Sequence, residues 1–360
     1  MSMLVPGKRV VITELGKTPL ETIDRFSELE EQPPPDVAAL KPTDVVVEIR
    51  SAAVGWVDLI MASGQYQHVP APPYTPGLEY SGVVAWVGAD AGAATIGDAV
   101  LVDGLIAGPR SSGDYQRAGG FARYAVVPAA ALVPMPEGFS FDQACSYFGS
   151  YETAYHCLIA RGRLQAGETV LIHGASGSTG LAAVHVAKQL GATVIATGRS
   201  PDKLAVVAAQ GADHVVRCGE DAPRLRDQVK ALTGGRGVDV VYDGVGGAIS
   251  AESLRCVRFG ARYLIVGWAA TPFVARGGVD PNQLPTNLIM MKGVDVLGCP
   301  MVISTQKDPS LRTPRLAALR EWAAAGLRPH VSHTYPIEHY REALHAKWRG
   351  DIIGAAVLHP

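Results

Sequence analysis

The segment Val170-Leu-Ile-His-Gly-Ala-Ser-Gly-Ser-Thr-Gly180 carries the clearest fold signal in this chain. Its glycines form a GxxGxxG turn between an apolar strand and a helical pattern. Such a turn lets backbone N–H groups approach a pyrophosphate, whose charge is stabilised at the helix N-terminus. The flanking strand and helix favour a dinucleotide site over an ordinary glycine turn. The expected contacts come from Gly174, Ala175, Ser176, Gly177, Ser178, Thr179 and Gly180.

A basic segment follows the second predicted strand. It reads Gly198-Arg199-Ser200-Pro201-Asp202-Lys203, whereas an NAD site usually has an acidic residue here that binds the ribose hydroxyls. The donors and positive charge of this segment suit the 2′-phosphate of NADP(H). Solvated side chains are the alternative explanation, and Arg217 is a second candidate for the phosphate contact. We predict an NADP(H) site with contacts from Gly198, Arg199, Ser200 and Lys203.

Strands and helices alternate on both sides of the glycine turn, which predicts a parallel, doubly wound sheet. The predicted strands are Val170–His173, Val194–Thr197, His214–Val216, Val238–Tyr242, Leu264–Val266 and Val294–Leu297. The predicted helices include Phe141–Ala160, Leu181–Leu190 and Pro201–Gln210.

The first 135 residues instead show short strands separated by turns, which is typical of a β-barrel or sandwich. These strands are Val45–Ile49, Gly82–Val87, Ala99–Val102 and Phe121–Val127. The last residues predict two helices and a strand, Arg315–Ala325, Ile337–Trp348 and Ala355–Leu358. We therefore expect two domains that differ in kind.

The composition limits the possible functions. Of the 360 residues only 18% are charged and the formal net charge is −2, so no basic surface for nucleic acid is indicated. No run approaches the roughly 20 apolar residues of a membrane span, and the N-terminus lacks the apolar core of a secretory signal. The five cysteines form no CxxC pair, which favours a reducing compartment. We expect a cytoplasmic protein with a small-molecule partner.

Several further segments carry a family resemblance. They include Ala53-Val-Gly-Trp-Val-Asp58, Tyr74-Thr-Pro-Gly-Leu-Glu-Tyr-Ser-Gly-Val-Val84 and Val241-Tyr-Asp-Gly-Val-Gly-Gly247. Together with the glycine turn, they resemble the zinc-free branch of the medium-chain dehydrogenase/reductase superfamily, which contains quinone oxidoreductases and enoyl-thioester reductases. The resemblance implies an α/β protein with a GroES-like β-barrel catalytic domain, residues 1–135 and 308–360. A doubly wound Rossmann NADP-binding domain, residues 136–307, is expected between these two segments.

The resemblance also bears on metal binding. Zinc-dependent relatives place their catalytic ligands where this chain has Gly55, Leu78 and Gly149, none of which binds a metal. Their four-cysteine structural lobe, expected at about residues 100–120, is missing as well. The spacing of His68, His156 and His173 does not rebuild a site, so we expect surface or packing histidines. We predict no metal.

The resemblance implies hydride transfer from NADPH to a quinone or to the activated C=C bond of an α,β-unsaturated carbonyl. Without a metal, hydrogen-bond donors must polarise the substrate oxygen. The implied catalytic residues are Tyr66, whose hydroxyl is a candidate donor, Thr153 beside the nicotinamide, and Asp58, which lines the same cleft. Tyr66 could equally line the cleft without a proton role. Later cofactor contacts are expected from Val245, Val266 and Gly267.

Three questions stay open at this point. An enoyl-CoA thioester is the second candidate substrate, for which Arg110, Arg117 and Arg123 would form a basic rim. A function of another class is a nucleotide-binding structural or interaction protein, in the manner of zeta-crystallin. Family likeness implies a homodimer, to which Val294–Leu297 would contribute by pairing across the two-fold axis, although this strand could equally be an ordinary sheet edge protected by Pro300.

Overall fold

The computed structural model describes residues 4–273 and 282–360. They form two compact units, one drawn from Met1–Phe148 and Arg328–Pro360 and the other from Gly149–Leu327. In chain order the described strands are β1 (Gly7–Ile12), β2 (Ser27–Gln32), β3 (Asp44–Ala53), β4 (Tyr80–Val87), β5 (Ala99–Val102), β6 (Tyr124–Pro128), β7 (Leu132–Pro134), β8 (Thr169–Ile172), β9 (Thr193–Gly198), β10 (His214–Arg217), β11 (Val238–Asp243), β12 (Val257–Ile265), β13 (Asp295–Gly298), β14 (Val331–Pro336) and β15 (Ala355–His359). The described α-helices are α1 (Pro19–Arg25), α2 (Trp56–Ala62), α3 (Phe141–Cys145), α4 (Phe148–Tyr155), α5 (Ser178–Gln189), α6 (Pro201–Ala209), α7 (Leu225–Leu232), α8 (Ala248–Cys256), α9 (Thr286–Lys292), α10 (Met301–Lys307), α11 (Arg312–Ala324) and α12 (Tyr340–Arg349).

The first unit is built on a seven-stranded sheet. Its order is β14-β15-β3-β4-β5-β7, with β6 also paired to β3. The long strand β3 pairs with β4, β6 and β15 in antiparallel fashion. Its residues Val45, Val47 and Ile49 are buried in one core with Leu59 of α2 and Leu344 of α12. The β domain expected from the short strands is confirmed.

The second unit contains a six-stranded sheet in which every pairing is parallel. The order is β10-β9-β8-β11-β12-β13, the 3-2-1-4-5-6 order of a dinucleotide-binding fold. Strands β8 and β11 are buried along their whole length, as expected for central strands covered on both faces. The strand order reverses between β8 and β11, and ligands of such sheets bind outside the carboxyl ends of the strands at this point. The predicted doubly wound domain is confirmed.

The predicted helix Phe141–Ala160 is wrong as a continuous element. Helix α3 starts where expected, because Ser140 and Gln143 form a capping box, but it ends at Cys145. After α4 the chain continues as a π-helical turn over His156–Arg161. The strand predicted at Leu264–Val266 also begins earlier, at Val257.

The two units change at residues 148/149 and 327/328. The domain limits predicted from the sequence, 135/136 and 307/308, lie earlier in the chain and stay a prediction. Helix α3 packs on the first unit, where the Ser81 hydroxyl donates to the Phe141 carbonyl over 2.7 Å. Residues of α11 belong to the second unit, since Arg312 and Arg315 both form ion pairs with Glu152 of α4. Within the described ranges, no helix is both long and apolar enough to cross a membrane.

Candidate dinucleotide-binding site

The turn between β8 and α5 has the backbone geometry that its glycines predict. Gly174 has φ +62°, and its carbonyl oxygen accepts the N–H of Gly177 over 3.0 Å. A Cβ atom on Gly180 would lie 2.2 Å from that same oxygen, so no larger residue fits there. The twelve-residue helix α5 starts at Ser178 without a side-chain cap. Its N-terminus is therefore suited to an anion.

The carboxyl end of β11 meets this turn, and the residues that follow β12 meet the end of β11. A Cβ atom on Gly174 would lie 3.1 Å from Cγ2 of Val245. The N–H groups of Val266 and Gly267 donate to the main-chain carbonyl of Asp243 over 2.9 and 3.2 Å. The glycine turn, the residue Val245 after β11 and the residues Val266 and Gly267 after β12 therefore lie near one another at the switch point of the sheet.

Strand β9 ends beside a basic segment. Arg199 is exposed and Lys203 is half-buried. The Ser200 side chain caps α6 by accepting the N–H of Lys203 over 3.4 Å. Burial raises the pKa of the nearby Cys218 thiol, and the charge of Arg199 opposes that shift. Gly198 is paired in the parallel ladder with Arg217 of β10, so both candidate arginines lie at this end of the sheet.

The turn is underlain by a buried histidine whose hydrogen-bonding role was not predicted from the sequence. His173 is 1% exposed. Its Nδ1 lies 2.8 Å from Oγ1 of Thr197 and its Nε2 lies 2.6 Å from Oγ of Ser253. Burial lowers the pKa of His173 to about 4, so the imidazole is neutral at neutral pH. The expected packing histidine is thus a hydrogen-bonded link between the ends of β8 and β9 and helix α8.

Asp243 forms a second buried link. Its Oδ1 accepts the N–H groups of Val245 and Gly246 over 2.9 and 3.0 Å, and its Oδ2 accepts the hydroxyls of Ser250 and Tyr263 over 2.5 Å. Burial alone would raise the pKa of Asp243, but the nearby His173 and these donors bring the net direction downward. A polar residue directly after an apolar strand is the sequence signal that could have identified His173 and Asp243.

In the first unit, Asp58 is engaged by backbone. Its Oδ2 accepts the Gly55 N–H over 3.0 Å, and its Oδ1 accepts the N–H groups of Gly77 and Leu78 over 3.0 and 3.2 Å. Burial raises the pKa of Asp58 to about 6. The carboxylate therefore joins the start of α2 to the segment before β4. Its predicted place beside the substrate stays a prediction.

Tyr66 and Thr153 lie in different units. Tyr66 is half-buried, and its ring centroid is 6.0 Å from that of His68. Within residues 4–273 and 282–360 its hydroxyl makes no hydrogen bond. The Thr153 hydroxyl donates to the Gly149 carbonyl of its own helix over 2.6 Å. The Thr153 proton is therefore committed within its own helix, and the catalytic roles of both residues stay predictions.

The three positions that correspond to zinc ligands have structural roles. Gly55 is the N-cap of α2, Leu78 is 3% exposed in the core and Gly149 lies in α4. In the part of the chain that the structure describes, no three His, Cys, Asp or Glu side chains form a group that could hold a metal.

The basic rim considered for a CoA thioester is only partly available. Arg123 donates to Glu48 over 2.8 Å and stacks on Tyr124, so this arginine is engaged within the fold. Arg117 is exposed, and Arg110 is half-buried with its Nε unpartnered among the described residues.

Comparison with known proteins identifies the family. The family described as alcohol dehydrogenase GroES-like domain matches residues 41–137, and that described as zinc-binding dehydrogenase matches residues 178–311. A quinone oxidoreductase-like protein 2 homolog of Nematostella vectensis is 31% identical over 93% of this chain and 84% of its own length. Human quinone oxidoreductase is 30% identical over 86% of this chain and 87% of its own length.

The structural comparison agrees. A mycobacterial protein solved in complex with NADPH has a TM-score of 0.79 and 25% sequence identity, covering 98% of this chain and 100% of that chain. The match to that solved structure therefore extends over both units of this chain. The chain therefore belongs to the quinone oxidoreductase-like branch of the medium-chain dehydrogenase/reductase superfamily of oxidoreductases.

Proposed function

We propose that this protein is an NADPH-dependent, zinc-independent oxidoreductase that reduces a quinone or the activated C=C bond of an α,β-unsaturated carbonyl. The observation that carries the choice of NADPH is the end of β9. There the exposed Arg199 and the half-buried Lys203 follow Gly198, where a carboxylate would bind the ribose of NAD. A 2′-phosphate would be held by charge-assisted hydrogen bonds from such side chains.

The dinucleotide fits the residues present. Backbone N–H groups at the start of α5 would bind the pyrophosphate, because the glycines at 174 and 180 leave the turn without side chains that block its approach. The ends of β11 and β12, with Val245 and Gly267, would line the path towards the nicotinamide. When bound, the cofactor supplies the hydride.

The protein's own residues would handle the substrate oxygen. Charge develops on this oxygen as the electrophilic carbon is reduced, and a hydrogen-bond donor stabilises it. Gly55, Leu78 and Gly149 carry no metal-ligating atom in their side chains, so in this proposal a hydrogen-bond donor polarises the substrate oxygen. We assign this role to Tyr66. Asp58 would hold the backbone around Gly55 and Leu78 through its three accepted N–H groups.

The test is NADPH oxidation by purified protein across a panel of quinones, enones and enoyl-CoA thioesters, with NADH run beside it. Turnover of a quinone or enone with NADPH preferred supports the proposal. Binding of NADPH without turnover of any compound would contradict it and favour a structural role. For the thioester alternative, charge reversal at Arg110 and Arg117 should raise KM for the thioester alone.

We also propose a cytoplasmic homodimer. Among the described residues, β13 is an edge strand of the parallel sheet. Pairing of the β13 strands of two copies would give hydrogen-bond partners to the backbone N–H and C=O groups at this edge. Molar mass measured by light scattering tests the dimer, and a monomeric mass at micromolar concentration would contradict it.

A further inference from the structure

The imidazole of His173 holds a position that the proposed reaction does not use. The residue directly precedes Gly174, the first glycine of the phosphate turn, and its N–H donates to the Tyr242 carbonyl over 3.0 Å. Its side chain spans from Thr197 at the end of β9 to Ser253 in α8. The backbone and the side chain of one residue therefore connect three neighbouring elements at the point where the turn begins.

The hydrogen-bond partners fix the tautomer. The Ser253 hydroxyl donates its only proton to the Ile249 carbonyl over 2.6 Å, so its oxygen must accept from His173. The imidazole thus carries its proton on Nε2, and the unprotonated Nδ1 accepts from the Thr197 hydroxyl. Thr197 holds the turn a second time, because its carbonyl accepts the Ala175 N–H over 3.2 Å.

The turn tolerates little displacement. A Cβ atom on Gly180 would meet the Gly174 oxygen at 2.2 Å, so these two backbones are already in close approach, and one on Gly174 would meet Cγ2 of Val245 at 3.1 Å. A pyrophosphate bound by backbone N–H groups requires those groups in fixed positions. A side chain that anchors the first residues of the turn therefore acts on every dinucleotide that binds there, with or without a 2′-phosphate.

We propose that His173 is the positioning residue of the dinucleotide site: by joining Thr197 to Ser253 it fixes the phosphate turn and sets the affinity for the dinucleotide independently of the 2′-phosphate. This inference rests on the proposed binding of a nicotinamide dinucleotide at the turn. It adds a residue whose contribution is geometric and whose loss changes binding rather than chemistry.

Three variants separate the two hydrogen bonds. In His173→Phe both are lost. His173→Asn places an amide near the position of Nδ1 and so retains the contact with Thr197. His173→Gln places an amide near the position of Nε2 and so retains the contact with Ser253. The measurement is the Kd for NADPH and for NADH by fluorescence titration, with the melting temperature of each variant without nucleotide.

The expected result is a rise in Kd of about tenfold or more in His173→Phe, equal for NADPH and NADH, with smaller rises in the two amide variants. The kcat at saturating nucleotide should stay within about threefold, because the effect is on binding. Leu171→Ala is the matched control. This buried residue lies on β8 two positions earlier, and its truncation should lower the melting temperature without changing Kd.

The outcomes distinguish this proposal from the proposed function. The three His173 variants could lower the melting temperature as Leu171→Ala does while Kd stays within twofold of the wild type. This result would overturn the proposal and show that His173 is a packing residue. A loss confined to NADPH would also overturn the proposal. Should His173→Phe fail to fold, Thr197→Val and Ser253→Ala each remove one hydroxyl and provide the same comparison. A wild-type protein that prefers NADH contradicts the NADPH assignment alone.

Discussion

The carbonyl oxygen of Gly174 lies where a Cβ atom on Gly180 would approach it to 2.2 Å. This contact joins the start of the phosphate turn to the first turn of α5, and both partners are backbone atoms that cannot rotate away. The close packing of the turn against α5 therefore requires glycine at position 180.

Gly180→Ala should lower the free energy of unfolding by about 2 kcal/mol, since the clash forces the backbone to shift. It should also abolish measurable dinucleotide binding. Gly177→Ala is the stability control, because Gly177 has φ −76° and its added Cβ would lie 3.4 Å from the same oxygen. Denaturant titration of both variants checks this, and equal losses of stability would contradict it.

Arg199→Ala should raise KM for NADPH by about tenfold or more, since a charge-assisted hydrogen bond contributes roughly 1.5–3 kcal/mol. KM for NADH should stay within twofold. Steady-state kinetics with both nucleotides provide the measurement. Arg217→Ala is the comparison, because Arg217 is the ladder partner of Gly198. A loss seen only in Arg217→Ala would transfer the phosphate contact to that residue.

Tyr66→Phe should lower kcat by about a hundredfold if the hydroxyl protonates or polarises the substrate oxygen. KM for NADPH should not change, because the ring and its packing are retained. The half-buried Tyr335 of the first unit offers a matched Tyr→Phe control. An unchanged kcat for Tyr66→Phe would leave Tyr66 as a residue that lines the cleft.

Asp58→Ala should destabilise the protein by roughly 3 kcal/mol or more, because three backbone N–H groups lose their acceptor. Asp58→Asn should cost less. The remaining amide oxygen can still accept from Gly77 and Leu78, while the amide nitrogen faces the Gly55 N–H. The free energies of unfolding of both variants, measured at neutral pH, test this order. Equal stabilities of Asp58→Ala and the wild type would contradict the linking role of Asp58.

The free energy of unfolding should fall at acid pH because of His173. Burial lowers the pKa of His173 from 6.5 to about 4, so the unfolded chain binds more protons between these values and stability falls as pH decreases from 6.5 to 4. The full contribution is about 3 kcal/mol.

Asp58 acts in the opposite direction. Burial raises its pKa from 3.8 to about 6, so its contribution to stability is present below pH 3.8 and is lost as pH rises through 6. His173→Gln should therefore flatten the acid-side loss relative to the wild type, and Asp58→Asn should steepen it. Free energies of unfolding measured from pH 4 to 7 test the signs, and parallel curves for all three proteins would contradict them.

The fold and the position of the glycine turn could be predicted because they depend on local patterns. Alternating strands and helices indicate a parallel sheet, and Gly174, Gly177 and Gly180 are required by backbone geometry that any strand–turn–helix of this kind shares. Ser140 likewise marked the start of α3. The break of the predicted helix after Cys145 could not be foreseen, because it depends on tertiary packing: α3 packs against β3 and β4, whereas the chain enters the second unit at Gly149.

The role of single polar residues depends on contacts between distant segments. Residue type and order alone establish the glycine turn, the basic segment after β9 and the lack of ligating side chains at Gly55, Leu78 and Gly149. The contacts of His173 with Thr197 and Ser253 depend on tertiary packing, since these residues come from separate elements of the chain. A buried imidazole must find hydrogen-bond partners, and which ones it finds is set by the packing of the sheet and its helices.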